Sequence, residues 1–215
     1  MNNNNSSKQI LLSVLGVAIL VVAVVGISFA AFSYSKTGEV SNTITTGTIT
    51  MSYTEPTNGI NLTNALPITD TAGKALSGDN NTFDFTVNAT IAGNTNISYA
   101  ITAVKDASSD IPDTGIKVYL TSLSSNGEQM TETPVFEPKL VSALSKTSSH
   151  ASGAGDGQYL LKEGNYTATT KEQYRLRMWV DANYGQQADG ENTSEFATQH
   201  KYILKVNVYG AAKTQ

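Results

Sequence analysis

The sequence predicts an all-β fold, an antiparallel sandwich preceded by one N-terminal hydrophobic helix, and three observations carry that reading. Several short stretches alternate apolar and polar residues with a period of two, the pattern of half-buried strands. The 3.6-residue period of an amphipathic helix is nearly absent after the first thirty or so residues. Thr, Ser and Asn are abundant and only 15% of the 215 residues are charged, which suits exposed strand faces better than helices.

The chain opens on a polar leader, NNNNSSK over residues 2–8, and then runs uncharged and apolar from residue 10 to residue 32. As a helix rising about 1.5 Å per residue, that run reaches ~34 Å, enough to cross a hydrocarbon core of ~30 Å. Lys8 is the one charge before it, so the orientation rule keeps the N-terminus inside and sends the rest across. Two readings of the run stand. As a secretory signal peptide it offers Ser28 and Ala30 as the small residues before a cut between Ala30 and Ala31. As an uncleaved signal anchor it holds the protein in the membrane through residues 10–32, because its apolar core exceeds the usual ~7–15 residues. The expected location is extracellular or at the cell surface, membrane-anchored if the helix is not cleaved, with signal peptidase a partner during export.

Residues 33–46 are polar and weakly alternating, with Tyr34, Val40 and Ile44 as the larger apolar members. Next, in GTITMSY, Ile49, Met51 and Tyr53 point one way while Thr50 and Ser52 point the other. Pro56, Asn58 and Gly59 punctuate a turn. In the clearest strand, Phe83, Phe85, Val87, Ala89 and Ile91 alternate with Asp84, Thr86, Asn88 and Thr90 without a miss. Gly93 and Asn94 then predict a turn into a hairpin partner, where Ile97, Tyr99, Ile101 and Ala103 continue the pattern. Ile116, Val118 and Leu120 form another short run.

Residues 122–157 are rich in Ser, Gly and Thr and read as a flexible excursion. Within it, KLVSALSK over residues 139–146 predicts about two helical turns. Order returns at residues 158–161 and again at Tyr174, where Leu176, Met178 and Val180 share a face opposite Arg175, Arg177 and Trp179. After a polar loop, Tyr202, Leu204, Val206 and Val208 face inward in a final strand. The expected organisation is a signal or anchor helix at 1–30, an N-terminal segment at 31–46, and a sandwich domain at 47–215.

Composition excludes several functions. With no cysteine in the chain, disulfides, thiol nucleophiles and cysteine-metal sites are impossible. A net charge of −4 gives no electrostatic footprint for nucleic acid. Asp113-Thr114-Gly115 has the letters of an aspartic-protease loop, but that chemistry needs two carboxylates sharing a proton. Pro112 precedes the motif and no second copy exists, so it reads as a turn. His150 and His200 are the only imidazoles, without metal-ligand spacing, and read as solvent-exposed. The glycine-rich stretch over residues 152–157 lacks the strand–loop–helix setting of a phosphate cradle. Asp189, Glu191, Asn192 and Glu195 gather oxygen ligands without EF-hand spacing and read as a solvated loop, with calcium the alternative. The sequons at Asn61, Asn88, Asn96 and Asn165 are matches expected by chance in a Thr/Asn-rich chain. No catalytic, cofactor-binding or metal-binding residue is assigned, and the chain does not read as an enzyme.

Several pieces in order resemble the TasA/camelysin family of secreted bacterial biofilm-matrix fibre proteins. They are Ala30-Ala31-Phe32 at the end of the apolar run, then Thr46-Gly47-Thr48-Ile49, then Asn61-Leu62-Thr63-Asn64 with Pro67, Asp70, Gly73 and Lys74. Phe83-Asp84-Phe85-Thr86-Val87-Asn88 is similar to the family's F-x-F-x-x-N strand, and the two strands after residues 174 and 202 fall in the expected order. Pro67-Ile68-Thr69-Asp70 replaces the family's Pro-Gly-Asp, and residues 121–171 have no counterpart. The resemblance implies a jelly-roll-like sandwich whose mature N-terminal segment completes a neighbour's sheet. It also implies a homopolymer built by donor-strand addition, because main-chain hydrogen bonds join the chains and head-to-tail donation does not close. The donor is expected from residue 31 to about residue 39, with Phe32 and Tyr34 filling pockets. The rival expectation is a membrane-anchored surface or adhesion module that stays monomeric. A secreted hydrolase is the second rival.

Overall fold

A computed structural model divides the chain into two compact units, Met1–Ser33 and Tyr34–Gln215. It describes residues 33–37, 42–46, 49–54, 60–63, 65–78, 82–91, 95–126, 129–184 and 200–213, with the backbone alone at 33–37, 42–46, 49–50, 60, 126, 129 and 213. The second unit is mostly β, in two antiparallel sheets, as its alternating runs require. The apolar run over residues 10–32 lies outside the described residues. Among the described residues, no helix is long and apolar enough to cross a membrane.

Sheet one orders β1 (Ser33–Thr37), β12 (Lys201–Lys213), β7 (Asn96–Lys105) and β10 (Tyr159–Tyr166), with β4 (Ile60–Thr63) also paired to β12. Sheet two orders β2 (Asn42–Thr46), β3 (Ile49–Thr54), β6 (Thr82–Ile91), β11 (Thr170–Asp181), β8 (Ile116–Asn126) and β9 (Gln129–Leu140). The two-residue β5 (Pro67–Ile68) lies parallel to the end of β11.

The core forms where the alternation places it. Met51, Tyr53, Phe83, Phe85, Val87 and Ala89 are buried, as are Ile116, Val118, Leu120, Tyr174, Leu176, Met178 and Val180. Sheet one contributes Ile97, Tyr99, Ile101, Ala103, Tyr202, Leu204, Val206 and Val208. Phe85 stacks on Tyr174 at 5.3 Å and meets the Tyr53 ring edge-on at 5.7 Å. The sheets approach closely at Gly210 of β12, where a Cβ would lie 2.0 Å from Met51 Sδ and 3.3 Å from Ile97 Cγ2. Any larger residue there would displace the Met51 side chain.

The structure departs from the sequence reading at three places. The runs at 83–91 and 97–103 are not a hairpin: β6 pairs with β3 and β11 in sheet two, and β7 pairs with β12 and β10 in sheet one. Both strands bury their apolar faces, but from opposite sides of the core. Much of the stretch expected to be a flexible excursion holds regular structure, because β8 runs to Asn126 and pairs antiparallel with β9, Gln129–Leu140. KLVSALSK makes the last residues of β9 and one 3₁₀ turn, Val141–Ala143, instead of two helical turns.

A short helix, α1 (Asp70–Lys74), is not foreshadowed by periodicity. Thr69 caps it, its hydroxyl accepting from the Ala72 N–H at 3.4 Å, with Asp70 in the first turn and Lys74 in the last. Gly73 brings the helix onto the only tryptophan: a Cβ there would sit 2.3 Å from Trp179 Cε2.

Candidate functional site

The assigned positions cluster at the N-terminus. Ala30, Ala31 and Phe32 lie outside the described residues, and Tyr34 falls in β1, whose backbone alone is described. β1 is an outer strand of sheet one, hydrogen-bonded to β12 of the same chain. β12 carries β7 along one side; on the other, β4 covers residues Lys201 to Leu204 and β1 is the further neighbour. Four residues beyond β1, the chain enters β2, the outer strand of sheet two, paired to β3 from Asn42↔Tyr53 to Thr46↔Ile49. β1 and β2 are thus the outer strands beside β12 and β3, the two strands whose Gly210 and Met51 meet across the core.

The opposite flank is locked by side chains spanning the sheets. Tyr166 of β10 donates to Glu172 Oε2 of β11 at 2.6 Å, and Lys162 Nζ donates to the Tyr174 hydroxyl at 2.6 Å. The Tyr174 hydroxyl in turn donates to Glu172. Burial alone would raise the Glu172 carboxyl, but the phenols and Lys162 outweigh it and hold it below the usual range. Tyr99 stacks on Tyr166 with centroids 4.1 Å apart.

Both outer faces are covered. Over sheet two, Arg175 forks onto Asp84 with two bonds of 2.7 Å and also reaches Glu132. Arg177, only 5% exposed, binds Glu132 at 2.7 and 3.0 Å and the Leu76 carbonyl at 2.7 Å. The Arg177 guanidinium, prevailing over burial, holds Glu132 at about 2 against an ordinary 4.5. Lys117 ties Asp70 of α1 to the sheet at 2.8 Å. Over sheet one, Gln158 accepts from Thr102 at 2.5 Å and from Asn207 at 3.4 Å and donates to the Tyr209 hydroxyl at 2.8 Å. Ala154 packs there on Ala100 and Tyr209.

The remaining candidates serve local structure. Asp113 accepts from the Tyr159 hydroxyl and, at 2.8 Å, from that of Tyr202, with Lys105 Nζ at 3.3 Å. Burial would raise its carboxyl, but the two phenols and Lys105 hold it low; burial and Asp113 push Tyr159 up to about 12. These bonds anchor the turn into β8, and Gly115 is needed because a Cβ would lie 2.6 Å from the Tyr184 ring.

His150, expected to be exposed, is half-buried: Nδ1 meets Ser152 Oγ at 2.8 Å and Nε2 meets Glu163 at 2.7 Å. The line-up of serine, imidazole and carboxylate has the parts of a hydrolytic triad, but Ser152 is fully buried and bonds within its own loop. His200 is bonded to Asp110 at 3.0 Å. The glycine-rich stretch is a pinned loop: Thr147 Oγ1 donates to the Gly155 carbonyl at 2.6 Å, and Gly153 and Gly157 take positive φ. Asp189, Glu191, Asn192 and Glu195 lie outside the described residues. Among the described residues, no group of three or more His, Asp or Glu is arranged to hold a metal. Sequence reasoning missed the covers of both outer faces; the Thr69–Asp70 cap was the available signal for one of them.

No protein-family model matches this chain, and no curated protein matches it.

Proposed function

We propose that this chain is an exported structural subunit with a jelly-roll-like sandwich, built into extracellular fibres such as those of a biofilm matrix by N-terminal donor-strand addition. One observation carries the reading. β1 directly follows the apolar run, and its partner β12 lies at the far end of the chain, so no short loop ties the two together. The place beside β12 accepts the same strand from a sister molecule as readily as its own, which is the physics of strand exchange. Deleting residues 31–37 leaves a folded monomer unable to polymerise; negative-stain microscopy reads the outcome, and fibres of normal appearance would exclude the donor assignment.

The pairing of β1 with β12 inside one chain favours a second reading, a membrane-anchored surface module that stays monomeric. Fractionation separates the two, since an anchored module remains with the membranes after salt washing and a fibre subunit does not.

A further inference from the structure

Among the described residues, the strand orders of the two sheets end in β1 and β10 for sheet one and β2 and β9 for sheet two; β4 and β5 also have a single partner each, but span only four and two residues, too short to make a long edge. An outer strand presents unpaired N–H and C=O groups, and proteins blunt it with charge, proline or a broken register. β9 carries Glu132, Pro134, Glu137, Pro138 and Lys139, and its register against β8 shifts twice. β10 carries Lys162 and Glu163, shifts register between Leu160 and Lys162, and has its start covered by the Lys146↔Tyr159 bridge. β1 carries Lys36. β2, NTITT, has none of these devices. Its register with β3 runs unbroken through five pairs, and no charge or proline occurs from residue 40 to residue 54. Uncharged, β-branched and proline-free sequence is what strand addition selects.

We infer that β2 is a self-association edge: two copies pair β2 to β2, antiparallel, about a two-fold axis at Ile44, and their second sheets become one. A second copy is the occupant because the strand is complementary to itself. Antiparallel pairing about Ile44 sets Asn42 opposite Thr46 of the partner subunit, Thr43 opposite Thr45 of the partner subunit, and Ile44 opposite its own equivalent. No like charges meet, and Thr–Thr and aliphatic pairs are favourable cross-strand neighbours. The contact is isologous and closes at two copies. It is therefore separate from head-to-tail donation at β12 and does not depend on it. Five pairs make a weak joint alone, and the joint strengthens steeply between subunits already held in rows, where it ties one row to another.

The absence of cysteine makes cross-linking a clean test on the full-length chain in mild detergent. Ile44→Cys should form disulfide-linked dimers about tenfold faster than a Thr133→Cys control on β9, because only paired strands bring two Cα atoms within bonding range. Asn42→Cys mixed with Thr46→Cys should give a heterodimer, while neither links to itself. Thr45→Lys added to that mixture should cut the yield about tenfold, by placing charge on the edge, and it keeps the test valid if Ile44→Cys does not fold. Equal rates at 44 and 133, self-linking of Asn42→Cys, or a yield indifferent to Thr45→Lys would each overturn the inference. Cross-linking is read whether or not fibres form, so failure of the fibre assay and failure of the β2 pairing are told apart.

Discussion

The outer face of sheet two is closed by charge and that of sheet one by neutral hydrogen bonds, and the two covers respond to different stresses. On sheet two, a flap carrying α1 lies over Trp179, Tyr119 and Arg177, held by Lys117–Asp70, by Arg177 on the Leu76 carbonyl, and by the Glu132 bridge between both arginines. On sheet one, Gln158 and Ala154 from the loop before β10 seal Ala100, Thr102, Asn207 and Tyr209. An ionic cover depends on carboxylates staying deprotonated. An amide and hydroxyl cover does not titrate in the ordinary range. Acid should therefore loosen one face of the sandwich before the other.

The largest effect is expected where the charged cover meets the core. In Gly73→Ala the new methyl overlaps the Trp179 ring, so α1 must lift, at a cost of about 3 kcal/mol. Trp179 is the only tryptophan, and urea unfolding followed by its fluorescence should show a lower midpoint and redder native emission; unchanged emission would mean that the flap is not seated there.

Next comes Glu132→Gln, which leaves the buried Arg177 without its anion, at about 2 kcal/mol after allowing for the partial exposure of Glu132. Glu132 titrates at about 2 in the fold against an ordinary 4.5. Its contribution is thus complete above pH 4.5 and lost as pH falls through 2. Thermal melts across that window should fall less steeply in the variant than in the native protein, and parallel slopes would remove Glu132 from the acid response.

The smallest of the three is Gln158→Ala, about 1 kcal/mol from the neutral cover. Here the cost should be the same at pH 7 and pH 3, and a cost that vanishes in acid would put a titrating group into that network.

Much of the fold is legible in the residue pattern. The alternation in β6, β11 and β12 places Phe85, Leu176 and Leu204 inside, and all are buried. Other features are hidden for identifiable reasons. β9 escapes notice because Pro134, Pro138 and its charges are the marks of an outer strand and look like loop composition in a sequence. Arg177 and Trp179 are correctly assigned to an outward face, but the flap that buries them lies about a hundred residues earlier. The loop over residues 147–158 reads as flexible from its glycines and serines, whereas Thr147 and Gln158 pin it at both ends. At the candidate site, the pattern of residues 33–46 does not reveal that β1 and β2 are outer strands of two different sheets.

The order of amino acids was enough to establish which side of β3, β6, β7, β8, β11 and β12 faces the core, and that the apolar run at residues 10–32 is of membrane-spanning length. Both are local properties, written in the spacing of neighbouring side chains. Which strands share a sheet, as with β6 and β7, and which outer faces are covered emerged from the folded domain alone. Backbone edges are chemically alike from strand to strand, so partner choice rests on packing summed over the whole domain, and no short window of sequence contains it.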